Sequence, residues 1–222
     1  VEKDGSLRLV APRDWCSGFF PGSLWHVFTF NRTGLWRQQA IRYTWPVEEM
    51  KWYTGTHDLG FIINNSFGQA YRLTGERSYK DVVIQASRSL ISRYNDDVKA
   101  IRSWDHNKDK WQFPVIIDNM LNLEMLFWAS EETGDPVYRE IAINHANTTL
   151  KNHFRDDNSS YHVIDYNPET GVVQAKHTHH GIHHESVWSR GQAWGLYGFT
   201  MCFRYTKNPD YLAQAEGIAN FI

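Results

Sequence analysis

Three times along this 222-residue chain, a threonine that closes one apolar-periodic segment is followed five residues later by a tyrosine that opens the next: Thr74 and Tyr79, Thr133 and Tyr138, Thr206 and Tyr211. A related junction, Thr33-Gly34-Leu35-Trp36, comes earlier. Glycine at such a place supplies the left-handed residue that stops a helix, and the aromatic ring sits in the first turn of the helix that follows. Between the junctions the apolar spacing fits helices over about 22–30, 34–44, 58–73, 78–94, 114–132, 136–154, 187–206 and 210–222. Pro114 reads as a first-turn residue and Ser78 as a cap. The spacing therefore predicts an all-α chain of four helical hairpins. The alternative is chance likeness between helix ends, because Thr-Gly is common at such stops. Four hairpins in a row leave an open apolar edge unless further pairs close a ring, and the last helix reaches Ile222 without cap or breaker. Residues 1–222 thus read as a single domain whose C-terminal part lies outside this sequence.

One stretch breaks the helical pattern. Tyr161-His162-Val163-Ile164-Asp165-Tyr166 reads as a strand, 167–171 as a turn and 172–175 as a return strand, followed by a His-rich loop. Insertions of this kind tend to carry sites.

Composition narrows the function classes. With 23 Lys+Arg against 25 Asp+Glu, the net charge of -2 offers no global attraction for phosphate backbones or anionic lipid. Nucleic acid and membrane are therefore not expected partners. Cys16 and Cys202 are too few and too far apart for a disulfide framework or a zinc site, and leave cytoplasm and periplasm both open. Aromatic residues make up 15% of the chain, with 10 Trp. Such rings serve either as platforms for sugar faces or as core.

Two carboxylates stand out. Asp58, in Thr54-Gly55-Thr56-His57-Asp58-Leu59-Gly60-Phe61, is either a first-turn carboxylate that complements a helix dipole or one aimed into a cavity. Asp118 lies in an apolar segment, Pro114-Val115-Ile116-Ile117-Asp118-Asn119-Met120-Leu121. A carboxyl there is either desolvated, with a raised pKa, or paired with a cation. A raised pKa suits a general acid, though buried structural carboxyls occur too. In 177–185, the pairs His179/His183 and His180/His184 have metal-ligand spacing, but Gly181 favours an irregular loop and no Cys joins in; no bound metal is expected. Arg190 offers a planar fork to a carboxylate, with Trp194 one turn later on the same face, a cation beside an aromatic platform that fits an acidic sugar; the alternative is a structural ion pair.

These segments resemble a known family. Asp14-Trp15-Cys16-Ser17-Gly18-Phe19-Phe20-Pro21-Gly22, Thr56-His57-Asp58-Leu59-Gly60-Phe61, Ile116-Ile117-Asp118-Asn119-Met120-Leu121-Asn122-Leu123, Ser160-Tyr161-His162 and Trp188-Ser189-Arg190-Gly191-Gln192-Ala193-Trp194-Gly195 together look like unsaturated glucuronyl hydrolase, glycoside hydrolase family 88. The resemblance implies an (α/α)6 barrel, with four of its six helix pairs in this sequence. It also implies a substrate, the Δ4,5-unsaturated uronyl oligosaccharides that polysaccharide lyases release from glycosaminoglycans. By resemblance Asp118 protonates C4 and helps water add at C5, while Asp58 stays ionised. Trp15, Trp104 and Trp194 match pocket-lining positions, and His162 and Arg190 match polar substrate contacts. No metal or organic cofactor is implied. His180 stands where the family commonly has Gln, which bears on ligand preference and pH optimum. The rival readings are an unsaturated galacturonyl (rhamnogalacturonyl) hydrolase of the same barrel type and a catalytically inactive homologue that binds acidic sugars. Oligomeric state is not legible.

Overall fold

At each of the three Thr–Tyr junctions the threonine hydroxyl is bonded in both directions. Thr74, Thr133 and Thr206 donate to the carbonyls of Ala70, Ala129 and Cys202 at 2.7–2.8 Å, and accept from the backbone N–H of Glu76, Asp135 and Asn208 at 3.1–3.2 Å. The residue after each threonine is left-handed: Gly75 (φ 69°), Gly134 (φ 74°) and Lys207 (φ 60°). At the second and third junctions, Asp135 and Asn208 cap the next helix and Pro136 and Pro209 begin it, where the missing N–H is no loss. Tyr79, Tyr138 and Tyr211 are buried. The repeat is thus structural. Two local expectations are corrected: Arg32 (φ 53°), not Gly34, is the left-handed stop of the first helix, and Ser78 lies within its helix rather than capping it.

The computed structural model describes residues 3–6 and 10–222, and the chain divides into two compact units, residues 1–53 with 61–86 and residues 54–60 with 87–222. The first unit contains α1 (Phe19–Asn31), α2 (Gly34–Thr44), a 3-10 segment (Trp45–Trp52) and α3 (Gln69–Thr74). A π-helical stretch, Gly60–Gly68, runs directly into α3, so the expected third helix is present but widened over most of its length. Helix α1 packs on α2 and α3. Its buried Trp25 donates from Nε1 to Thr44 Oγ1 at 2.8 Å, which satisfies the indole inside the core. Trp45, Phe67 and Tyr79 pack ring on ring at 5.4–5.9 Å. Tyr79 belongs to α4 (Arg77–Ile91).

The second unit holds α5 (Asn119–Thr133), α6 (Pro136–Asn152), α7 (Ser189–Thr206) and α8 (Pro209–Phe221). Helix α5 packs on α6 and α7, and α7 on α8. A short antiparallel pair, β1 (Tyr94–Asn95) with β2 (Ala100–Ile101), precedes a three-stranded antiparallel sheet in the order β3 (Pro114–Ile116), β4 (Val163–Tyr166), β5 (Val173–His177). The expected hairpin is β4–β5, turned at Asn167–Gly171 with Gly171 at φ 67°. Its partner β3 is a correction. Pro114 begins a strand, and the helix starts at Asn119. Val115 and Ile116 are β-branched and pair with Ile164 and Val163, while Ile117 N–H reaches His162 O at 3.1 Å. Non-local pairing therefore overrides the local helix signal.

Helices α5 and α7 approach closely at Gly198, where a Cβ would collide with the Met120 side chain and backbone. Gly34 opens α2 with nothing within 4 Å of such a Cβ. Gly198→Ala is expected to destabilise the protein by about 1–3 kcal/mol, whereas Gly34→Ala stabilises it by about 0.5–1 kcal/mol. Urea unfolding of the two variants reads the opposite signs directly.

Candidate active site

The second unit brings the two carboxylates to one hydrogen-bonded junction. Ser103 is buried and donates its N–H to Pro114 O at 2.8 Å, at the start of β3. Its carbonyl accepts from His57 N–H at 3.0 Å, and its hydroxyl accepts from Ile116 N–H at 2.9 Å. The loop bearing Asp58 is thereby tied to the strand that leads to Asp118. An isolated bridge between Thr56 and Trp104 continues the tie.

Asp118 sits at the turn from β3 into α5, at the helix N-cap, not inside a helix as its sequence surroundings suggest. Its side chain caps no helix N–H, and its Oδ1 is buried without a hydrogen-bond partner. Burial raises its pKa to about 6, and the nearby charge of Asp58 adds to the rise, against opposing pulls from His57 and Arg190. Asp58 goes the other way. Burial raises its pKa too, but His57 Nε2 at 3.2 Å from Oδ1, the Thr56 hydroxyl at 2.6 Å from Oδ2 and the charge of Arg93 together hold it below the ordinary carboxylate value. Arg93 is itself buried and fastened to Thr54 O, to Arg102 O at 2.8 Å and to Asp105 at 2.8 Å. One group is built to hold a proton near neutrality and the other to stay ionised.

Beside Asp118 stands a wall of imidazoles and tryptophan. His162 Nδ1 accepts from the N–H of His179 at 3.0 Å and of His180 at 3.3 Å, so the ring's proton is on Nε2, which faces Asp118 Oδ1 at 3.6 Å. Burial, with the neighbouring imidazoles and Arg190, pushes His162 down to about 3, so it is neutral. His180 stacks on His162 (4.9 Å, 19°), and Trp188 packs against both at 4.6–4.8 Å. Arg190 lies 4.5 Å over the Trp188 ring, and its charge is felt at Asp118, His162 and His180. Trp194 is half-buried one turn further along α7. Trp104, 9% exposed, meets Trp111 at 5.4 Å, His106 at 5.1 Å and His179 at 5.7 Å. Trp15 belongs to the first unit, packed edge-on against Phe19 and Phe61.

The structure thus gathers Asp58, Asp118, His162, His180 and Arg190, and adds His57, Thr56 and Trp188, which the sequence reading quoted in motifs without assigning a role. Adjacency to Asp58 was the available signal for Thr56 and His57. The His-rich loop is irregular. Its rings serve as acceptors: His177 Nδ1 takes Trp111 Nε1–H at 3.0 Å, and His184 Nδ1 takes Thr178 N–H at 3.2 Å. Among the described residues, no group of three or more His, Cys, Asp or Glu side chains could hold a metal ion, and no helix is long and apolar enough to cross a membrane.

Successive helical hairpins carrying two oppositely tuned carboxylates define the class: the fold is that of the (α/α)6 barrels. No protein-family model matches the chain. An unsaturated glucuronyl hydrolase of Formosa agariphila is 51% identical over 216 residues, 97% of this chain and 54% of that protein. The crystal structure of an unsaturated glucuronyl hydrolase specific for heparin superposes with a TM-score of 0.97 at 47% identity, covering 100% of this chain and 59% of that one. A mutant unsaturated glucuronyl hydrolase from a streptococcus (S. agalactiae), in complex with dGlcA-GalNAc6S, gives a TM-score of 0.72 at 30% identity, covering 94% of this chain and 51% of that one. In sequence and fold the chain is similar to the unsaturated glucuronyl hydrolases. It spans about half the length of the curated relatives it matches.

The tuning of Asp118 carries a stability cost with a definite sign. Its folded pKa of about 6 lies above the ordinary 3.8, so the folded state keeps a proton the unfolded chain has lost, and stability falls as pH rises between those values. Asp118→Asn is expected to be more stable than the parent at about pH 8, by on the order of 3 kcal/mol, with the advantage gone below about pH 4. Thermal unfolding at the two pH values measures it.

Proposed function

We propose that the protein of which this chain is part removes the non-reducing Δ4,5-unsaturated uronic acid from lyase-generated glycosaminoglycan oligosaccharides. In this reading residues 1–222 supply four hairpins of a single (α/α)6 catalytic domain. The observation that carries it is the opposite tuning of Asp118 and Asp58 on one hydrogen-bonded junction. The relatives' names supply the substrate class.

The substrate is a vinyl ether conjugated to a carboxylate. Asp118 holds a proton up to about pH 6 and delivers it to C4, leaving positive charge shared between C5 and the ring oxygen. Asp58, ionised, stabilises that charge. Water adds at C5 and gives its proton back to the Asp118 carboxylate, which resets the acid. The C5 hemiketal opens, C1 becomes a hemiacetal, and its collapse releases the leaving sugar as an alcohol. Since no bond to the anomeric carbon is attacked directly, carboxylate separation carries no stereochemical message here. His162 Nε2–H and the Arg190 guanidinium are donors suited to the uronate carboxylate, with Trp104 and Trp194 as ring platforms.

The test is loss of the C4=C5 absorbance from unsaturated disaccharides of heparin, chondroitin and hyaluronan, with heparin fragments first because of the heparin-specific neighbour. Turnover is expected to fall as pH rises through about 6, as Asp118 loses its proton, and Asp118→Asn is expected to lower kcat by at least about a thousandfold. His180→Gln, which places an amide in a position where the ring's pKa is lowered by burial, is expected to change the acid side of the profile more than the alkaline side. Binding without absorbance loss on every substrate would instead favour an acidic-sugar receptor.

A further inference from the structure

Arg93 and Arg102 are locked side by side in the second unit. Arg102 N–H donates to Arg93 O at 3.0 Å, and Arg93 Nε donates to Arg102 O at 2.8 Å. One carboxylate serves both guanidiniums: Asp105 accepts from Arg93 Nη1 at 2.8 Å through one oxygen and from Arg102 Nη1 at 3.1 Å through the other. The two arginines line a cavity of about 330 Å³, whose walls also include Thr54, Tyr94, Asp105 and Phe113. Asp105 is the one acid among its lining residues, so the walls carry two positive charges against one negative. Asp58, Asp118, His162 and Arg190 are not among them, which separates this cavity from the carboxylate junction.

The donors of the pair are not used up. Arg93 Nη2 and Arg102 Nε are buried and have no hydrogen-bond partner. Leaving such donors unmade is costly, and more so on charged groups. The Arg93 side chain is 5% exposed and its remaining nitrogens hold Thr54 O, Arg102 O and Asp105, so it cannot swing out to water. Arg102 lies 4.8 Å over the Phe113 ring, which fixes its plane, and at 32% exposure it opens the pair to solvent. An excess of guanidinium beside unfilled donors has one chemical preference, an oxyanion whose several acceptor oxygens take charge-assisted bonds. The volume is at the small end for ligand sites, which suits one sulfate, phosphate or carboxylate group with at most a small sugar attached.

We propose that this cavity is a second anion site, which takes one oxyanion group through Arg102 and Arg93, apart from the place proposed above for the uronate. The group arrives either as a free ion or as a sulfate carried on a sugar, and both present the same chemistry to the two guanidiniums.

The experiment is calorimetric titration of the full-length protein with sodium sulfate against sodium chloride at matched ionic strength. Arg190→Met is the background, because it removes the other guanidinium suited to anions. Saturable sulfate binding is expected to survive there, with none for chloride. Adding Arg102→Met, which keeps an apolar side chain over Phe113 and drops the charge, is expected to weaken it at least about tenfold. A saturated, sulfated disaccharide, which has no double bond to hydrate, is titrated in parallel. Binding tighter than that of sulfate identifies a sugar-borne group as the ligand, and weaker binding a free ion. Wild-type crystals soaked in selenate, a sulfate analogue with an anomalous signal, give a readout independent of the variants, with a peak expected beside Arg102 and Arg93. Absence of saturable sulfate binding in Arg190→Met, equal binding of chloride, or a folded Arg102→Met variant that binds as before overturns the proposal, as does a soaked crystal with no peak in the cavity. None of these outcomes depends on turnover, so failure of every unsaturated substrate would reject the proposed function alone.

Discussion

Ser103 is buried and bonded through its N–H, its carbonyl and its hydroxyl, and these three bonds hold the Asp58 loop against the strand that ends at Asp118. Two carboxyl groups this close would ordinarily titrate as a repelling pair. Here the repulsion is resolved in advance because the junction gives its hydroxyl and imidazole donors to Asp58. Asp58 collects a hydroxyl, an imidazole and the field of a buried guanidinium, whereas Asp118 collects burial. Had the loop been free to move, each carboxyl could have found water or a donor of its own, and the difference between them would vanish. The acid/base division is therefore a property of backbone hydrogen bonds as much as of the two side chains.

The imidazoles around this junction are used mostly as neutral acceptors. His145, His162, His177 and His184 each take a hydrogen bond at Nδ1 from a backbone N–H or an indole. In His145 and His162, whose burial keeps them neutral, that leaves the proton on Nε2, so these rings are set as directed donors that add no positive charge. Arg190 then supplies a fixed positive charge, poised above Trp188. A charged His162 would hold Asp118 ionised; a neutral one does not.

The sequence made the hairpin punctuation legible because its causes are local: a threonine hydroxyl, a left-handed residue and a buried tyrosine lie within six positions. Both carboxylates were legible as candidates for the same reason, and a raised pKa was one of the two readings that the apolar neighbours of Asp118 allowed. Its place in the fold did not. Pro114 promised a helix start, but Val115 and Ile116 are claimed by a strand almost fifty residues away, a pairing no local window contains. The roles of His57 and Trp188 were hidden likewise, since each is defined by what it faces across the fold. The split of residues 54–60 away from their chain neighbours was equally invisible, because only spatial packing assigns that loop to the second unit.

The Thr–Tyr junctions also bear on how such a chain can change over time. Each closes its own hydrogen bonds within the joint, so the rods on either side need nothing from the chain inserted between them. New sequence is accommodated outside these joints, and the β4–β5 ribbon with its histidine-rich tail lies in the one long connection between α6 and α7, which has no such joint. Lineages of this architecture can therefore retool the mouth of the site by drift in the gaps, while the junction that sets the acid is left untouched.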